Sequence, residues 1–155
     1  MNMFVLYFGL MLLCRGQIVN LDYGRFQGKD SLFTRQYLGI PYAAPPIGDL
    51  RFEQPRPPIP FQGLKNAMHH GKACYQRRDA PPLFGFMLEI SEDCLNLNIW
   101  APKGHSADDD PLPVLVWLLP GGFTSGYVAN PLYSKFHAFD TNYRWRRCKI
   151  VVILL

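Results

Sequence analysis

The sequence predicts a fold that is mostly β in this part of the chain, with an N-terminal hairpin and further strands that join in one sheet. Residues 18–28 alternate apolar and polar side chains around Gly24, which is typical of a small antiparallel hairpin. Residues 93–100 alternate cleanly, as in a strand with two different faces. Residues 114–118 are apolar throughout, as in a strand buried on both faces. These three patterns predict the architecture.

The strand over residues 93–100 places Leu95, Leu97 and Ile99 on one face, because side chains alternate along a strand. Consecutive strands are usually adjacent, so the 114–118 strand is expected to be its neighbour in one sheet. A further short strand is predicted over residues 36–43, which Pro41 would end.

Residues 44–60 are too rich in proline for a helix interior and form either a linker or a closely fitted irregular segment. Leu50, Phe52 and Ile59 favour the second interpretation, because flexible linkers rarely carry so much apolar area.

The net charge of +4 over 155 residues has a local origin. Arg15 lies near the N-terminus, and four basic residues cluster near the C-terminus: Arg144, Arg146, Arg147 and Lys149. The rest of the chain is close to neutral, so there is no broad basic surface for nucleic acid.

The apolar run over residues 3–14 is too short to span a bilayer comfortably and suits the hydrophobic region of a signal peptide. We therefore expect residues 1–16 to be a signal peptide and the protein to be secreted. No lysine or arginine precedes the run, so an uncleaved anchor or an imprecise start are the alternatives. No other segment is long and apolar enough to cross a membrane.

Two of the four cysteines, Cys74 and Cys94, enclose 19 residues and would pair naturally in an oxidising compartment. Such a closure stabilises by about 3 kcal/mol. The alternative is two buried thiols in a reducing compartment. Cys14 would be removed with the signal peptide, and Cys148 would then be the one cysteine not assigned to a pair. No ligand spacing for zinc occurs, so no metal is expected.

Pro120 ends the apolar strand, and the glycines Gly121, Gly122 and Gly126 follow. Backbone amides free of side-chain bulk can point at an anionic oxygen, as in an oxyanion hole or a phosphate cradle. A plain tight turn is the alternative interpretation of the same glycines.

Three segments together resemble the type-B carboxylesterase family of α/β hydrolases, which includes the cholinesterases and the neuroligin ectodomains. Residues 37–52 (Tyr-Leu-Gly-Ile-Pro-Tyr-Ala-Ala-Pro-Pro-Ile-Gly-Asp-Leu-Arg-Phe) are similar to the N-terminal block of the family. Residues 92–102 (Glu-Asp-Cys-Leu-Asn-Leu-Asn-Ile-Trp-Ala-Pro) are similar to the signature around the second cysteine of its first disulfide. Residues 112–126 (Leu-Pro-Val-Leu-Val-Trp-Leu-Leu-Pro-Gly-Gly-Phe-Thr-Ser-Gly) resemble its oxyanion-loop segment.

The resemblance implies the N-terminal portion of an α/β-hydrolase fold, a secreted or lumenal location, and a Ser-Glu/Asp-His triad in the full-length parent. It implies a small-molecule or lipid ester as substrate and no cofactor. By position, Gly121 and Gly122 match the family glycines whose amides stabilise the tetrahedral intermediate. The resemblance also pairs Cys74 with Cys94.

The chain departs from the family pattern in two places. The family usually has His or Tyr followed by three glycines, where this chain has Leu119 and Pro120 before the glycine pair. Proline fixes φ and removes an amide donor, so the loop is expected to be stiffer or displaced. There is also no Trp between Cys74 and Cys94, so a preference for choline esters is not supported.

The chain contains no nucleophile elbow of the form Gly-x-Ser-x-Gly, and we assign no catalytic residue. None of the serines beyond the leader fits that pattern: Ser31, Ser91, Ser106, Ser125 and Ser134. The histidines all precede the place expected for a triad histidine: His69, His70, His105 and His137.

Family-like sequence continues to residue 142, and residues 143–155 form an atypical basic and apolar tail. The expected organisation is therefore a signal peptide over 1–16, the N-terminal portion of a carboxylesterase type-B domain over 17–142, and the tail. Residues 150–155 read as a further buried strand or as an apolar run without structural meaning. We expect an inactive N-terminal fragment of an ester hydrolase; the alternatives are a catalytically dead adhesion or binding protein of the same fold, or a nonfunctional truncated product.

Overall fold

The computed structural model describes residues 17–31, 34–76, 89–103, 110–119, 126 and 150–154. The strands in this part of the chain are β1 (Ile18–Leu21), β2 (Gly24–Gln27), β3 (Lys29–Asp30), β4 (Thr34–Pro41), β5 (Leu64–Asn66), β6 (Asn96–Pro102), β7 (Val114–Leu118) and β8 (Ile150–Leu154). In the same described ranges, a 3₁₀ turn covers Gly48–Leu50. The strand-rich prediction is confirmed.

The N-terminal hairpin is confirmed. Strands β1 and β2 pair antiparallel, with Ile18 opposite Gln27 and Leu21 opposite Gly24. Strand β5 adds to β2 in parallel and completes a three-stranded sheet in the order β1-β2-β5. The Tyr23 hydroxyl, at the hairpin turn, donates to the carbonyl oxygen of Pro41 at 2.7 Å, which ties this sheet to the end of β4.

The main sheet has the strand order β3-β4-β6-β8-β7. Pairing is antiparallel from β3 through β8, and β7 joins β8 in parallel. The prediction that β6 and β7 are neighbours is wrong, because β8 lies between them and pairs with both. The apolar run near the C-terminus does form a strand, and its insertion makes the sheet mixed.

The described residues form two buried apolar clusters. The larger lies between the two sheets and contains Phe26, Tyr37, Ile40 and Ala67, all buried. Phe61 packs edge to face on Phe26, with ring centroids 5.2 Å apart, and such pairs contribute about 0.5–1.5 kcal/mol beyond their buried area.

The second cluster lies on the main sheet and carries the strand that leads to the glycine segment. Leu38 and Trp100 are buried, and Trp117 and Leu119 pack against them half-buried. These contacts hold the inner face of β7 and the residue after it.

The expected burial of β7 on both faces is wrong for the described residues. Val114, Leu115 and Val116 are 54%, 50% and 52% exposed, and Leu118 is 71% exposed. The reason is position: β7 is the edge strand of the sheet, and apolar composition cannot bury a strand without elements packed on its faces.

The proline-rich segment is irregular, as predicted, but its apolar residues are less buried than expected. Ala44 is buried, whereas Phe52 is 99% exposed and Ile59 is 67% exposed. Phe52 has a φ of 62°, and the Arg51 guanidinium lies 5.6 Å from its ring centroid. A close fit of these residues is therefore not observed.

The expected signal peptide and the basic run over residues 143–149 lie outside the described residues. Within the part of the chain that the structure describes, no helix has the length and apolar character needed to cross a membrane.

Candidate oxyanion segment and its supports

A bulge in β4 begins the framework of the site. The β4–β6 register shifts between Tyr37 and Ile40, so β4 carries one extra residue there. The Leu38 amide donates to the Ala67 carbonyl at 2.8 Å. The Gly39 amide instead donates to Oδ1 of Asn98 on β6, also at 2.8 Å. A side chain thus replaces a missing ladder acceptor.

Asn98 is completely buried and connects β4 to the segment over residues 69–73. Because the Gly39 amide uses Oδ1, the Nδ2 group faces His70 Nδ1, 2.9 Å away. Nδ1 must then accept, which places the proton of the neutral imidazole on Nε2. Desolvation and the neighbouring Lys29 lower the His70 pKa below its usual 6.5, so the ring is neutral near pH 7.

Two glycines allow the 69–73 segment to lie this close to the sheet. Gly39 has a φ of 69°, and a Cβ there would lie 2.9 Å from the Gly71 nitrogen and the His69 carbonyl oxygen. A Cβ on Gly71 would overlap the Asn96 side chain. The Nδ2 group of Asn96 donates to the carbonyl of Lys72 at 3.1 Å, which fixes the segment to β6.

The structure joins Cys74 to Cys94, with their Cα atoms 5.0 Å apart, within the usual range for a disulfide. Cys94 is 5% exposed. Ala73, the residue before Cys74, is buried. The Ala73 amide donates to the Glu89 carbonyl, and the Ala73 carbonyl accepts from the Ser91 amide, both at 2.9 Å. Backbone hydrogen bonds therefore hold the residue before Cys74 to the segment that leads to Cys94.

Gln76 contacts Gly126, fifty residues further along the chain. The Gly126 amide donates to Gln76 Oε1, and Gln76 Nε2 donates to the Gly126 carbonyl, both at 3.1 Å. Nε2 also lies 3.3 Å from the Cys74 carbonyl. The side-chain amide thus pairs with both backbone groups of one glycine, as a neighbouring strand would.

Pro120, Gly121 and Gly122 lie outside the described residues. The structure describes the residues on each side of this segment: Leu119, packed against Leu38 and Trp100, and Gly126, held by Gln76. The expected oxyanion segment therefore lies between two fixed points of the chain.

The remaining candidates in the described part of the chain do not form a catalytic group. Ser91 Oγ accepts a hydrogen bond from the Asp93 amide at 3.1 Å, a local turn contact. His69 and His70 are exposed when the whole residue is considered, and the Nδ1 atom of His70 is already bonded to Asn98 Nδ2. Ser106, Ser125, Ser134, His105 and His137 lie outside the described residues. Within the described ranges, no three His, Cys, Asp or Glu side chains are grouped to hold a metal ion.

The profile of the carboxylesterase family matches residues 15–154. The chain belongs to the carboxylesterase family. It is 43% identical over 97 residues to carboxylesterase 5A of Mus musculus, covering 58% of this chain and 17% of that protein. It is 38% identical over 119 residues to para-nitrobenzyl esterase of Bacillus subtilis, covering 76% of this chain and 24% of that protein.

The solved structure of a thermophilic PNB esterase superposes with a TM-score of 0.76 at 34% identity, covering 89% of this chain and 27% of that one. The fold is therefore the N-terminal portion of an α/β hydrolase, as the three sequence blocks predicted. The chain spans about a fifth of the length of the curated relatives given above.

Two supporting residues were not found from the sequence. Asn98 occupies the more buried face of β6 together with Asn96 and Trp100, where an alternating pattern would place solvent-facing polar groups. Gln76 gives no local signal. Its partner is fifty residues away, and only the tertiary fold brings the two together.

Proposed function

We propose that Gly121 and Gly122 supply oxyanion-stabilising backbone amides to a carboxylic ester hydrolase that uses an acyl-serine intermediate. The observation that carries the proposal is membership of the carboxylesterase family. It is combined with a glycine pair that follows β7 after two intervening residues, Leu119 and Pro120. The proposed substrate of the full-length parent is a small-molecule or lipid ester.

The chemistry requires fixed amide donors where negative charge develops. When a serine attacks an ester carbonyl, the carbonyl oxygen becomes an oxyanion, and two amide hydrogens pointing at it lower the barrier. Loss of one such donor typically reduces kcat by about 10²–10³-fold. Glycine suits this position because the backbone can approach the substrate without a side chain intervening.

The chain as written is proposed to be inactive by itself, because its sequence holds neither a Gly-x-Ser-x-Gly elbow nor a histidine in the triad position. The purified chain should show no ester hydrolysis above buffer and no labelling by a fluorophosphonate. Stoichiometric labelling of any serine would contradict this statement. Secretion remains part of the proposal, supported by the apolar run over residues 3–14 and the joined cysteines.

The oxyanion role can be tested by grafting residues 111–126 into the aligned position of the Bacillus subtilis para-nitrobenzyl esterase. If Gly121 and Gly122 are competent donors, the graft should keep kcat for a para-nitrobenzyl ester within about tenfold of the parent. A fall of 10²-fold or more with unchanged KM would contradict the proposal.

Two variants of the graft separate the causes. Gly122→Pro removes one amide proton and should cost about 10²–10³-fold in kcat. Pro120→Gly tests whether the proline displaces the loop: it should change kcat by less than tenfold if the graft is already competent. A control graft of the remote hairpin, residues 18–28, should leave kcat unchanged. A correctly folded but inactive graft would favour a binding protein of the same fold.

A further inference from the structure

We propose that Gln76 is a positioning residue that fixes the chain at Gly126 to the cysteine-bonded loop, so that the state of the Cys74–Cys94 pair is transmitted to the glycine segment. The functional meaning of this connection rests on the oxyanion role proposed above for Gly121 and Gly122. The connection itself rests only on contacts among described residues.

The geometry of the contact is that of a backbone pair. Gln76 offers one acceptor and one donor to the amide and carbonyl of Gly126, each at 3.1 Å. A primary amide presents one N–H donor and its C=O acceptor on the same side, so it can pair with the amide and the carbonyl of a single residue, as a neighbouring strand does. Gly126 has a φ of 140°, in the range that favours glycine. Because glycine has no side chain, its backbone can be approached closely by the Gln76 amide.

The second part of the argument is the anchoring of Gln76. Its Nε2 group lies 3.3 Å from the carbonyl of Cys74, two residues earlier. Cys74 is joined to Cys94, whose carbonyl accepts from the amide and from the side chain of Asn96, both at 2.9 Å. A continuous path of one disulfide and hydrogen bonds of 2.9, 3.1 and 3.3 Å thus runs from the start of β6 to Gly126.

The contact has a direct functional consequence. Gly126 is four residues from Gly122 along the chain, and the residue on the other side of the segment, Leu119, is held by packing. Oxyanion donors act only when they are already in place as charge develops. If Gly121 and Gly122 act as proposed above, the bond at Gly126 fixes one end of the segment that carries them.

The test measures hydrogen exchange of individual glycine amides by mass spectrometry with electron-transfer fragmentation, on the full chain at low micromolar concentration. Gln76→Ala should accelerate exchange at Gly126 about fivefold, the change expected for a net hydrogen bond of about 1 kcal/mol. The Gly39 amide, bonded to Asn98, should not change. The control Gln62→Ala alters an exposed glutamine and should leave both amides unchanged.

Gln76→Glu tests the positioning role more closely. A carboxylate still accepts from the Gly126 amide but cannot donate to its carbonyl, so the exchange rate should lie between those of the wild type and Gln76→Ala. An unchanged rate at Gly126 in Gln76→Ala would overturn the proposal. Equal acceleration at Gly126 and Gly39 would also overturn it, because that result indicates general destabilisation.

Reduction of the Cys74–Cys94 pair with dithiothreitol tests the coupling. Exchange at Gly126 should accelerate on reduction, and Gln76→Ala should then add little. Full additivity of the two changes would overturn the coupling. No ester or nucleophile is needed, so failure here leaves the oxyanion proposal standing, and failure of the graft leaves the Gln76 contact standing.

Discussion

Replacing Asn98 by alanine tests the buried polar connection between β4, β6 and the 69–73 segment. The change removes the acceptor of the Gly39 amide, at 2.8 Å, and the donor to His70 Nδ1, at 2.9 Å. Each bond contributes about 1 kcal/mol net, and a donor left without a partner costs about 1–3 kcal/mol when buried. Because Gly39 is only half-buried, we take a total of about 2–3 kcal/mol.

That loss corresponds to an acceleration of about 30- to 150-fold in exchange of the Gly39 amide, at 1.4 kcal/mol per factor of ten. Asn98→Asp should retain most of the protection, because a carboxylate oxygen can still accept from Gly39. The exposed Asn20→Ala on β1 is the matched control and should have no effect. Equal exchange rates at Gly39 in the Ala and Asp variants would refute the reasoning, since they would show that residue 98 does not hold this amide.

Three further outcomes are expected. Because the folded-state pKa of His70 is lowered, the unfolded chain binds the proton more readily, and protection of the Gly39 amide should fall as the pH decreases below 6.5. His70→Gln should remove this pH dependence, whereas His69→Gln should keep it. A pH profile identical in both variants would contradict the assignment. The purified chain should self-associate through the exposed edge strand β7. Val116→Lys on this strand should shift the mass measured by light scattering towards the monomer. The control Ile59→Lys, which alters an exposed apolar residue outside the described strands, should shift it less. Equal effects of the two lysines would exclude the strand edge as the cause. Gly39→Ala should reduce the yield of folded protein sharply, because the methyl group meets two backbone atoms at 2.9 Å; a normal yield would contradict the close approach seen here.

The parts of the fold that the sequence predicted are those whose signals are local. Alternation over a few residues is sufficient to recognise the hairpin and β6, because the period-two pattern is written in consecutive side chains. The position of β8 between β6 and β7 could not be predicted in this way. Strand order depends on pairing between residues far apart in the chain, such as Leu97 and Leu154.

The burial of β7 and the residues that support the site were harder to predict, because both depend on contacts between distant parts of the chain. The apolar run of β7 indicated burial, but burial is set by what covers a strand, and the described residues leave Leu118 71% exposed. Asn98 was missed because a polar residue between two apolar ones suggests a solvent face. The position of Gly121 and Gly122 after an apolar strand was recognised from the motif, whereas the Gln76 contact at one flank depends entirely on tertiary structure.

The bond between Asn98 and the Gly39 amide also selects one alignment of β4 against β6. If β6 slipped by one residue, Leu97 or Ile99 would face the Gly39 amide, and neither side chain can accept a hydrogen bond. Either one-residue slip would therefore leave that donor unsatisfied and turn the apolar set of β6 towards the opposite face. The buried asparagine thus penalises one-residue slips of β6 against β4, in addition to stabilising the correct pairing.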